Sequence, residues 1–220
     1  MEEYSVYNDI SKRTNGEFYL GVCGPVRTGK STFIKKFMEM FVLPGIKDEN
    51  DRKRAMDELP QSAEGKTIMT TEPKFIPKEA VKINLFDGND IKVRMVDCVG
   101  YIVEDAGGLM EGERERMVMT PWSEEPMPFA KAAEYGTKKV IHDHSTIGIV
   151  ITTDGSFGDI SRQSYKAAED KTISELKSIG KPFIVIVNSA NPFGEKAKDV
   201  INEIKERTGV TPVALNCMQL

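Results

Sequence analysis

Apolar and polar positions alternate along this chain in blocks of two kinds. Short, continuous apolar runs are typical of buried strands and occur at residues 18–24, 146–154, 183–187 and 211–215. Longer stretches with apolar residues at helical spacing occur at residues 30–42, 129–143, 161–179 and 195–208. Strands that alternate with helices predict an α/β fold with a mostly parallel sheet. No internal repeat or linker interrupts the pattern, so residues 1–220 are expected to form a single domain.

Residues 81–97 depart from this parallel pattern. Val81 and Ile83 alternate with polar residues, as do Ile91 and Val93, and an Asp87-Gly88 turn separates the two runs. This arrangement is the signature of a β-hairpin. The sheet is therefore expected to contain one antiparallel strand, next to a strand that ends on Asp97.

Two polar segments are too long for ordinary connections. Residues 43–80 and 98–128 are rich in charged residues and proline. Loops of this length in compact domains are usually functional or mobile. We expect them to be irregular and to act as a switch I-like and a switch II-like segment, respectively.

Composition excludes several classes of protein. The chain has 220 residues, 40% of them hydrophobic, and a net charge of −4, which is ordinary for one soluble domain and unlike a nucleic-acid-binding protein. Its N-terminus lacks the apolar core of a signal peptide, and no apolar run reaches the roughly 20 residues of a transmembrane segment. Cys23, Cys98 and Cys217 lie far apart and are expected to be reduced, buried thiols of a cytoplasmic protein.

The segment "GPVRTGKS" matches the phosphate-binding loop (P-loop) pattern between a predicted strand and a predicted helix. Its backbone amides cradle phosphates, Lys30 reaches the terminal phosphates, and Ser31 binds Mg²⁺. Arg27 is either a catalytic charge near the phosphates or a surface arginine. The predicted nucleotide-binding residues here are Gly24, Pro25, Val26, Arg27, Thr28, Gly29, Lys30, Ser31 and Thr32.

The next part of such a site is an acidic residue at a strand end. Asp97 and Gly100 form a D-x-x-G pattern directly after an apolar strand, so Asp97 is expected to hold Mg²⁺ through water. A second match, at Asp105, follows no strand. In the preceding polar segment, Thr70 or Thr71 is expected to present a hydroxyl to Mg²⁺, and the sequence leaves open which one.

The order of P-loop, threonine-bearing segment, hairpin and D-x-x-G looks like the GTPase-like, translation-factor-related branch of P-loop proteins. A regulatory GTPase usually has a water-orienting Gln after D-x-x-G, whereas this chain has Tyr101. A tyrosine lacks the paired donor and acceptor of an amide, so slow turnover is expected. Self-association would raise the turnover rate if a second copy of the chain supplied the missing group in trans.

The predicted base side of the site also departs from a GTPase. Guanine selection uses Asn-Lys-x-Asp, whose carboxylate accepts two N–H groups from the base, but residues 188–191 read Asn-Ser-Ala-Asn. The missing carboxylate favours ATP. Asn188, Ser189 and Asn216 are the candidate residues beside the base. Asp154, at the end of another predicted strand, either contacts the switch or base or forms a turn.

Three other functions remain open on these residues alone. A regulatory GTPase-type switch is disfavoured by residues 188–191, and a small-molecule kinase by the absence of an arginine-rich lid. A nucleotide-binding scaffold with little hydrolysis is compatible with Tyr101.

Six stretches resemble the N-terminal ATPase domain of the stage IV sporulation protein A family. They are "GPVRTGKSTFIKKFME", "DELPQSAEGKTIMTTEPKF", "VDCVGY", "TPWSEEPMPF", "HSTIGIVITTDG" and "GKPFIVIVNS", which together reach across essentially the whole chain.

The resemblance implies a three-layer P-loop fold with Lys30 as the P-loop lysine, Thr70 and Thr71 as sensor threonines and Asp97 as the Walker-B acid. It implies an ATPase that uses Mg²⁺ and whose hydrolysis drives polymerisation into the basement layer of the spore coat. Other coat morphogenetic proteins and a small membrane-associated anchor peptide are the implied partners, at the forespore outer membrane in the mother-cell cytoplasm. Family members are about twice this length, so the chain is expected to be the N-terminal part of a longer protein.

Overall fold

The computed structural model describes residues 16–60, 72–84 and 90–220. The strands in these ranges are β1 (Glu17–Cys23), β2 (Lys74–Asn84), β3 (Asp90–Asp97), β4 (Met110–Glu111), β5 (Arg114–Glu115), β6 (Met117–Thr120), β7 (Ser123–Pro128), β8 (Ile147–Thr153), β9 (Phe183–Asn188) and β10 (Val213–Leu215). The α-helices in these ranges are α1 (Lys30–Phe37), α2 (Glu49–Asp57), α3 (Phe129–Lys139), α4 (Arg162–Ser178) and α5 (Glu195–Thr208). None of the helices in these ranges is long and apolar enough to cross a bilayer.

The main sheet has the strand order β10-β9-β8-β1-β3-β2. Every neighbouring pair is parallel except β2 and β3, which are antiparallel. This topology confirms the predicted fold class, a mostly parallel sheet with one antiparallel strand beside the strand that ends on Asp97. The predicted turn of the hairpin, Asp87-Gly88, lies outside the described residues. Because β1 is central, the loop after it emerges in the middle of the sheet's carboxyl edge.

Helices cover both faces of the sheet, which gives the predicted three layers. On one face, Phe33 and Ile34 of α1 pack with Val22 and Met95 in one core cluster. On the other face, α4 and α5 contribute Tyr165, Leu176 and Ile204 to a second cluster. The sheet is therefore buried on both sides, which explains its continuous apolar strands.

The predicted helix over residues 30–42 changes character near its end. Regular α-helix stops at Phe37, and a π-helical turn follows at Met38–Val42. Met38 is fully buried, but Phe41, which belongs to the same predicted helical spacing of apolar residues, is 46% exposed. The wider turn after Phe37 leaves Val42 buried in the same cluster but turns Phe41 outward.

The segment 43–80 is not an irregular loop in its described part, so that prediction was wrong. A 3₁₀ turn covers Leu43–Gly45, α2 follows, and β2 begins at Lys74, well before the predicted Val81. Helix α2 buries only Ala55. It starts at an N-cap, where Asp48 Oδ1 accepts hydrogen bonds from Asn50 N and Asp51 N, each 2.9 Å long. A helix stabilised by its cap rather than by an apolar face leaves no hydrophobic period in the sequence.

The segment 98–128 also contains regular structure where irregular chain was predicted. Strands β4 and β5 pair antiparallel, as do β6 and β7. The pairs are short, and the second contains Pro126 and Pro128. Prolines and two-residue strands hide the alternation that normally identifies a hairpin.

The three cysteines are free and buried, as predicted. Burial raises the pKa of Cys98 to about 11 and that of Cys217 to about 12. Both are therefore neutral thiols at pH 7.

A buried ion-pair network joins β8, α4 and α5. Glu169 is fully buried and accepts hydrogen bonds from Arg162 Nη2 and Arg207 Nη2, each 2.8 Å long, and from the Thr152 hydroxyl. Because a buried carboxylate is costly without partners, the network forms only when the strand and both helices are in place.

Replacing Glu169 with alanine is expected to destabilise the domain by about 3 kcal/mol, because two partly buried arginines lose their shared carboxylate. Chemical denaturation measures this difference. Asp170→Asn is the matched control, since Asp170 pairs with Arg207 at an exposed site, and it is expected to cost less than about 1 kcal/mol. Equally small losses in the two variants would contradict this account of the network.

Candidate nucleotide-binding site

The loop from Gly24 to Gly29 leaves β1 and leads into α1. Gly24 has φ 120°, and a Cβ there would lie 2.4 Å from Ile151 O. Gly29 has φ 95°, and a Cβ there would lie 2.5 Å from Asn188 Nδ2. The sequence pattern therefore has glycine where backbone direction and space both exclude a side chain. The loop curves so that the N-terminus of α1, with its partial positive charge, faces the site.

Lys30 is the first residue of α1 and is only 5% exposed. Its Nζ donates a hydrogen bond to Pro25 O at 2.6 Å, within the same loop. Burial lowers the pKa of Lys30, and nearby Asp97 acts in the opposite direction. A buried ammonium group at this position is suited to binding an anion.

Asp97 lies at the end of β3 beside the start of α1. Ser31 Oγ donates a hydrogen bond to Asp97 Oδ2 at 3.1 Å, whereas Asp97 Oδ1 is buried with no hydrogen-bond partner. Burial raises the pKa of Asp97, and the Lys30 ammonium opposes that rise. An unpartnered buried carboxylate oxygen next to a serine hydroxyl fits Mg²⁺, which prefers oxygen ligands and retains several waters. Asp97 and Ser31 are thus the described residues that would hold this ion.

Gly100 and Tyr101 lie directly against the P-loop. Gly100 has φ 96°, and a Cβ there would lie 2.2 Å from Gly24 O and 2.5 Å from Lys30 Nζ. Tyr101 N donates to Gly24 O at 3.1 Å, and Val26 N donates to Tyr101 O at 2.9 Å. The D-x-x-G segment and the P-loop are therefore in direct contact.

The side chain of Tyr101 lies in the second core cluster, not beside the phosphate loop. It is 3% exposed, and its hydroxyl donates a hydrogen bond to the carboxylate of Glu175 in α4. Burial and this carboxylate raise the pKa of Tyr101. In this conformation the only polar atom of the Tyr101 side chain is used inside the protein.

Arg27 has φ 60° and an exposed side chain. Its Nη2 lies 3.4 Å from Gly107 O, in the segment 98–128. The exposed guanidinium of Arg27 fits a surface arginine. Its position within the phosphate loop fits a catalytic charge near the phosphates, so both alternatives stay open.

Asn188 connects the P-loop to the C-terminal loop. Its Nδ2 donates to Thr28 O at 3.0 Å, and its Oδ1 accepts from Cys217 N at 3.0 Å. The residue is 5% exposed, so both of its polar ends are used inside the protein. Asn188 thus ties the end of β9 to the P-loop and to the C-terminal loop.

Ser189 and Asp154 form a second support under the same loop. Ser189 is fully buried, and its Oγ donates to Asp154 Oδ2 at 2.6 Å. Asp154 Oδ1 accepts from Ser156 N at 2.9 Å, and Ser156 Oγ accepts from Ala190 N at 2.9 Å. Of the two roles considered for Asp154, the structure favours the turn-forming one.

The family model for the ATPase domain of stage IV sporulation protein A matches residues 1–220. The chain belongs to this family. It is 55% identical over 216 residues to stage IV sporulation protein A of Bacillus subtilis (strain 168) and 52% identical over 220 residues to that of Bacillus anthracis. It is also 55% identical over 216 residues to the protein of the same name from Clostridioides difficile (strain 630).

These matches cover 98–100% of this chain but only 44–45% of each relative. The chain therefore spans less than half the length of the curated stage IV sporulation protein A relatives. The expected family is confirmed.

The remaining predicted site residues are three threonines and one asparagine. Thr70 and Thr71 lie outside the described residues, so their roles stay predictions. Asn216 is in the loop after β10, where its Oδ1 accepts from Met218 N at 3.0 Å. Thr32, in the first turn of α1, follows Ser31 at the helix N-terminus.

Two residues of the site gave no signal in the sequence. Thr137 Oγ1 of α3 accepts a hydrogen bond from Gly100 N at 3.2 Å, and Glu175 of α4 binds the Tyr101 hydroxyl. They lie 37 and 74 residues from their partners, inside ordinary amphipathic helices. Only the tertiary fold brings them to the D-x-x-G segment.

Replacing Asn188 with alanine is expected to cost about 2 kcal/mol of stability and to weaken nucleotide binding, because Thr28 O and Cys217 N lose their partner. Chemical denaturation and nucleotide titration measure the two effects. Asn191→Ala, at an exposed amide of the same loop, is expected to change stability by less than about 0.5 kcal/mol. An Asn188→Ala protein as stable as this control would refute the supporting role.

Proposed function

We propose that the chain is a Mg²⁺-dependent ATPase domain that binds ATP in the P-loop and hydrolyses it to ADP and phosphate. One observation carries the proposal: buried Lys30, the Ser31 hydroxyl and the unpartnered oxygen of Asp97 converge at the carboxyl edge of the sheet. Membership in the ATPase-domain family of stage IV sporulation protein A supports it.

The residues of the P-loop bind the phosphates. Lys30 leaves Pro25 O and places its charge between the terminal phosphates, and the backbone N–H groups from Gly29 to Thr32 donate to phosphate oxygens. Ser31 and Asp97 hold Mg²⁺, the latter through water, while Thr70 or Thr71 adds a hydroxyl. Held by these residues, Mg²⁺ would supply positive charge that offsets the negative charge of the phosphate oxygens.

Several features of the base side favour adenine. Guanine presents two N–H groups that a GTPase aspartate accepts, but Asn191 at that position has no carboxylate. The nearby carboxylate of Asp154 is already bound by Ser156 and Ser189. Asn188 holds the loop, and the chain around Asn216 forms the opposite wall.

Turnover of the isolated domain is slow, because the residue at the position of the water-orienting glutamine is Tyr101, which is turned into the core and carries no amide. A group supplied by a second copy in trans would raise the rate. Arg27, exposed beside the phosphate loop, is the candidate charge in the chain itself. The buried Tyr101 also supports a second candidate function, a nucleotide-binding scaffold with little hydrolysis.

At the level of the longer protein, we propose that this single P-loop domain is the N-terminal part of a spore coat morphogenetic protein. Its ATP hydrolysis drives self-assembly into the basement layer of the coat, on the forespore surface in the mother-cell cytoplasm. Other coat morphogenetic proteins and a small membrane-associated peptide are its partners there. The resemblance of the chain to its family supports each of these roles.

Competition against a labelled ATP analogue tests the choice of nucleotide. ATP is expected to displace the analogue at a concentration at least about tenfold lower than GTP, because the guanine edge finds no carboxylate. Asn191→Asp is expected to narrow this gap, whereas Asn191→Ala, which adds no carboxylate, is expected to leave it unchanged. The ATPase proposal would be contradicted if GTP displaced the analogue from the unmodified chain at a lower concentration than ATP.

A further inference from the structure

Two backbone amides at the phosphate end of the site are already paired within the protein. Gly100 N donates to Thr137 Oγ1 at 3.2 Å, and Val26 N donates to Tyr101 O at 2.9 Å. The second bond, with that from Tyr101 N to Gly24 O, joins the D-x-x-G segment to the P-loop like a strand bridge. In this state the Gly100 amide is directed to α3 rather than to a phosphate.

Gly100 lies directly against the lysine that is proposed to bind the terminal phosphates. The backbone of Gly100 lies so close to the loop that a Cβ would sit 2.5 Å from Lys30 Nζ. Lys30 Nζ itself donates to Pro25 O. A terminal phosphate held by Lys30 would therefore lie beside Gly100 and draw its amide away from Thr137, whereas a diphosphate, which is one phosphoryl group shorter, need not displace the D-x-x-G segment.

The side chain of Tyr101 opposes this movement of the Gly100 backbone. Its hydroxyl is bound by Glu175, and the ammonium of Lys171 lies 4.6 Å from the centre of its ring. Lys171 also pairs with Glu134 of α3 at 2.8 Å. Both helices that border the segment are thus tied to this one tyrosine.

We propose that Tyr101 and Glu175 form an anchor that holds the D-x-x-G segment against the P-loop. The anchor lowers the affinity of the domain for ATP, because ATP binds only when the contact between Tyr101 and Glu175 breaks or shifts. Tyr101 and Glu175 are positioning residues: they act through the Gly100 backbone. ATP binding pulls Gly100 away from Thr137 and transmits the change to α3 and α4. This inference rests on the proposed binding of adenine nucleotides in the P-loop.

The fluorescence of Trp122 provides a signal for movement of the anchor. Trp122, the only tryptophan of the chain, stacks on Tyr135 of α3 with ring centres 5.9 Å apart. Tyr135 lies two positions from Thr137, the residue that accepts the Gly100 amide. A shift of α3 on release of that amide changes the surroundings of the indole, so tryptophan fluorescence follows the anchor without any need for hydrolysis.

The test uses Tyr101→Phe, which retains the ring, and Glu175→Gln, which retains the shape of the side chain. Calorimetric titration with Mg²⁺ and a non-hydrolysable ATP analogue is compared with titration with Mg²⁺ and ADP. In both variants the Kd of the analogue is expected to fall about tenfold, the equivalent of one hydrogen bond to a charged group. The Kd of ADP is expected to change less than about twofold. Glu206→Gln, at an exposed carboxylate of α5, is the control and is expected to match the unmodified chain.

In the unmodified chain, the analogue but not ADP is expected to change the fluorescence of Trp122, and in Tyr101→Phe the same change is reached at lower concentration. Equal shifts of both Kd values, or an analogue Kd that rises or stays the same, would overturn the anchor while leaving the proposed function intact. An unmodified chain that binds neither nucleotide would instead overturn the proposed function, and the anchor with it.

Discussion

The site depends on the burial of one lysine ammonium group at the centre of the sheet's carboxyl edge. Lys30 is 5% exposed, and burial of its charge is costly unless oxygen atoms surround it. Pro25 O supplies the direct contact, and Asp97 adds a nearby negative charge. The close approach of Gly100 leaves no room for a side chain there, and Asn188 fixes the loop from behind. The same arrangement that stabilises the cation makes it available to phosphate oxygens.

The sequence predicted the features that depend on local or repeating patterns. The buried strands, the P-loop, the strand that ends on Asp97 and the parallel sheet all follow from apolar runs and fixed spacings. Helix α2 was missed because it is held by the Asp48 cap and buries only Ala55, so it has no apolar period. The small hairpins of residues 110–128 were missed because short, proline-containing strands do not alternate clearly.

The direction of a side chain in the site was harder to predict than its position. The sequence placed Tyr101 where a GTPase has its glutamine, but its burial against Glu175 comes from a helix 74 residues away. Likewise, the sequence identified Asn188 as part of the base side, and only the structure gives its two partners, Thr28 and Cys217. Such contacts are set by how helices and loops pack, which no single stretch of sequence encodes. The frame is thus a mostly parallel sheet in which the side chains of Tyr101 and Asn188 are held by contacts inside the protein.

The central claim is that this loop hydrolyses ATP through Lys30, and phosphate release from ATP in the presence of Mg²⁺ tests it most directly. The unmodified chain is expected to release phosphate slowly but measurably. Lys30→Ala is expected to release none above background, because the terminal phosphates lose their buried cation. Lys36→Ala, which removes a partly exposed lysine from the same helix, is expected to retain the full rate. Equal phosphate release by the unmodified chain and by Lys30→Ala would contradict the account.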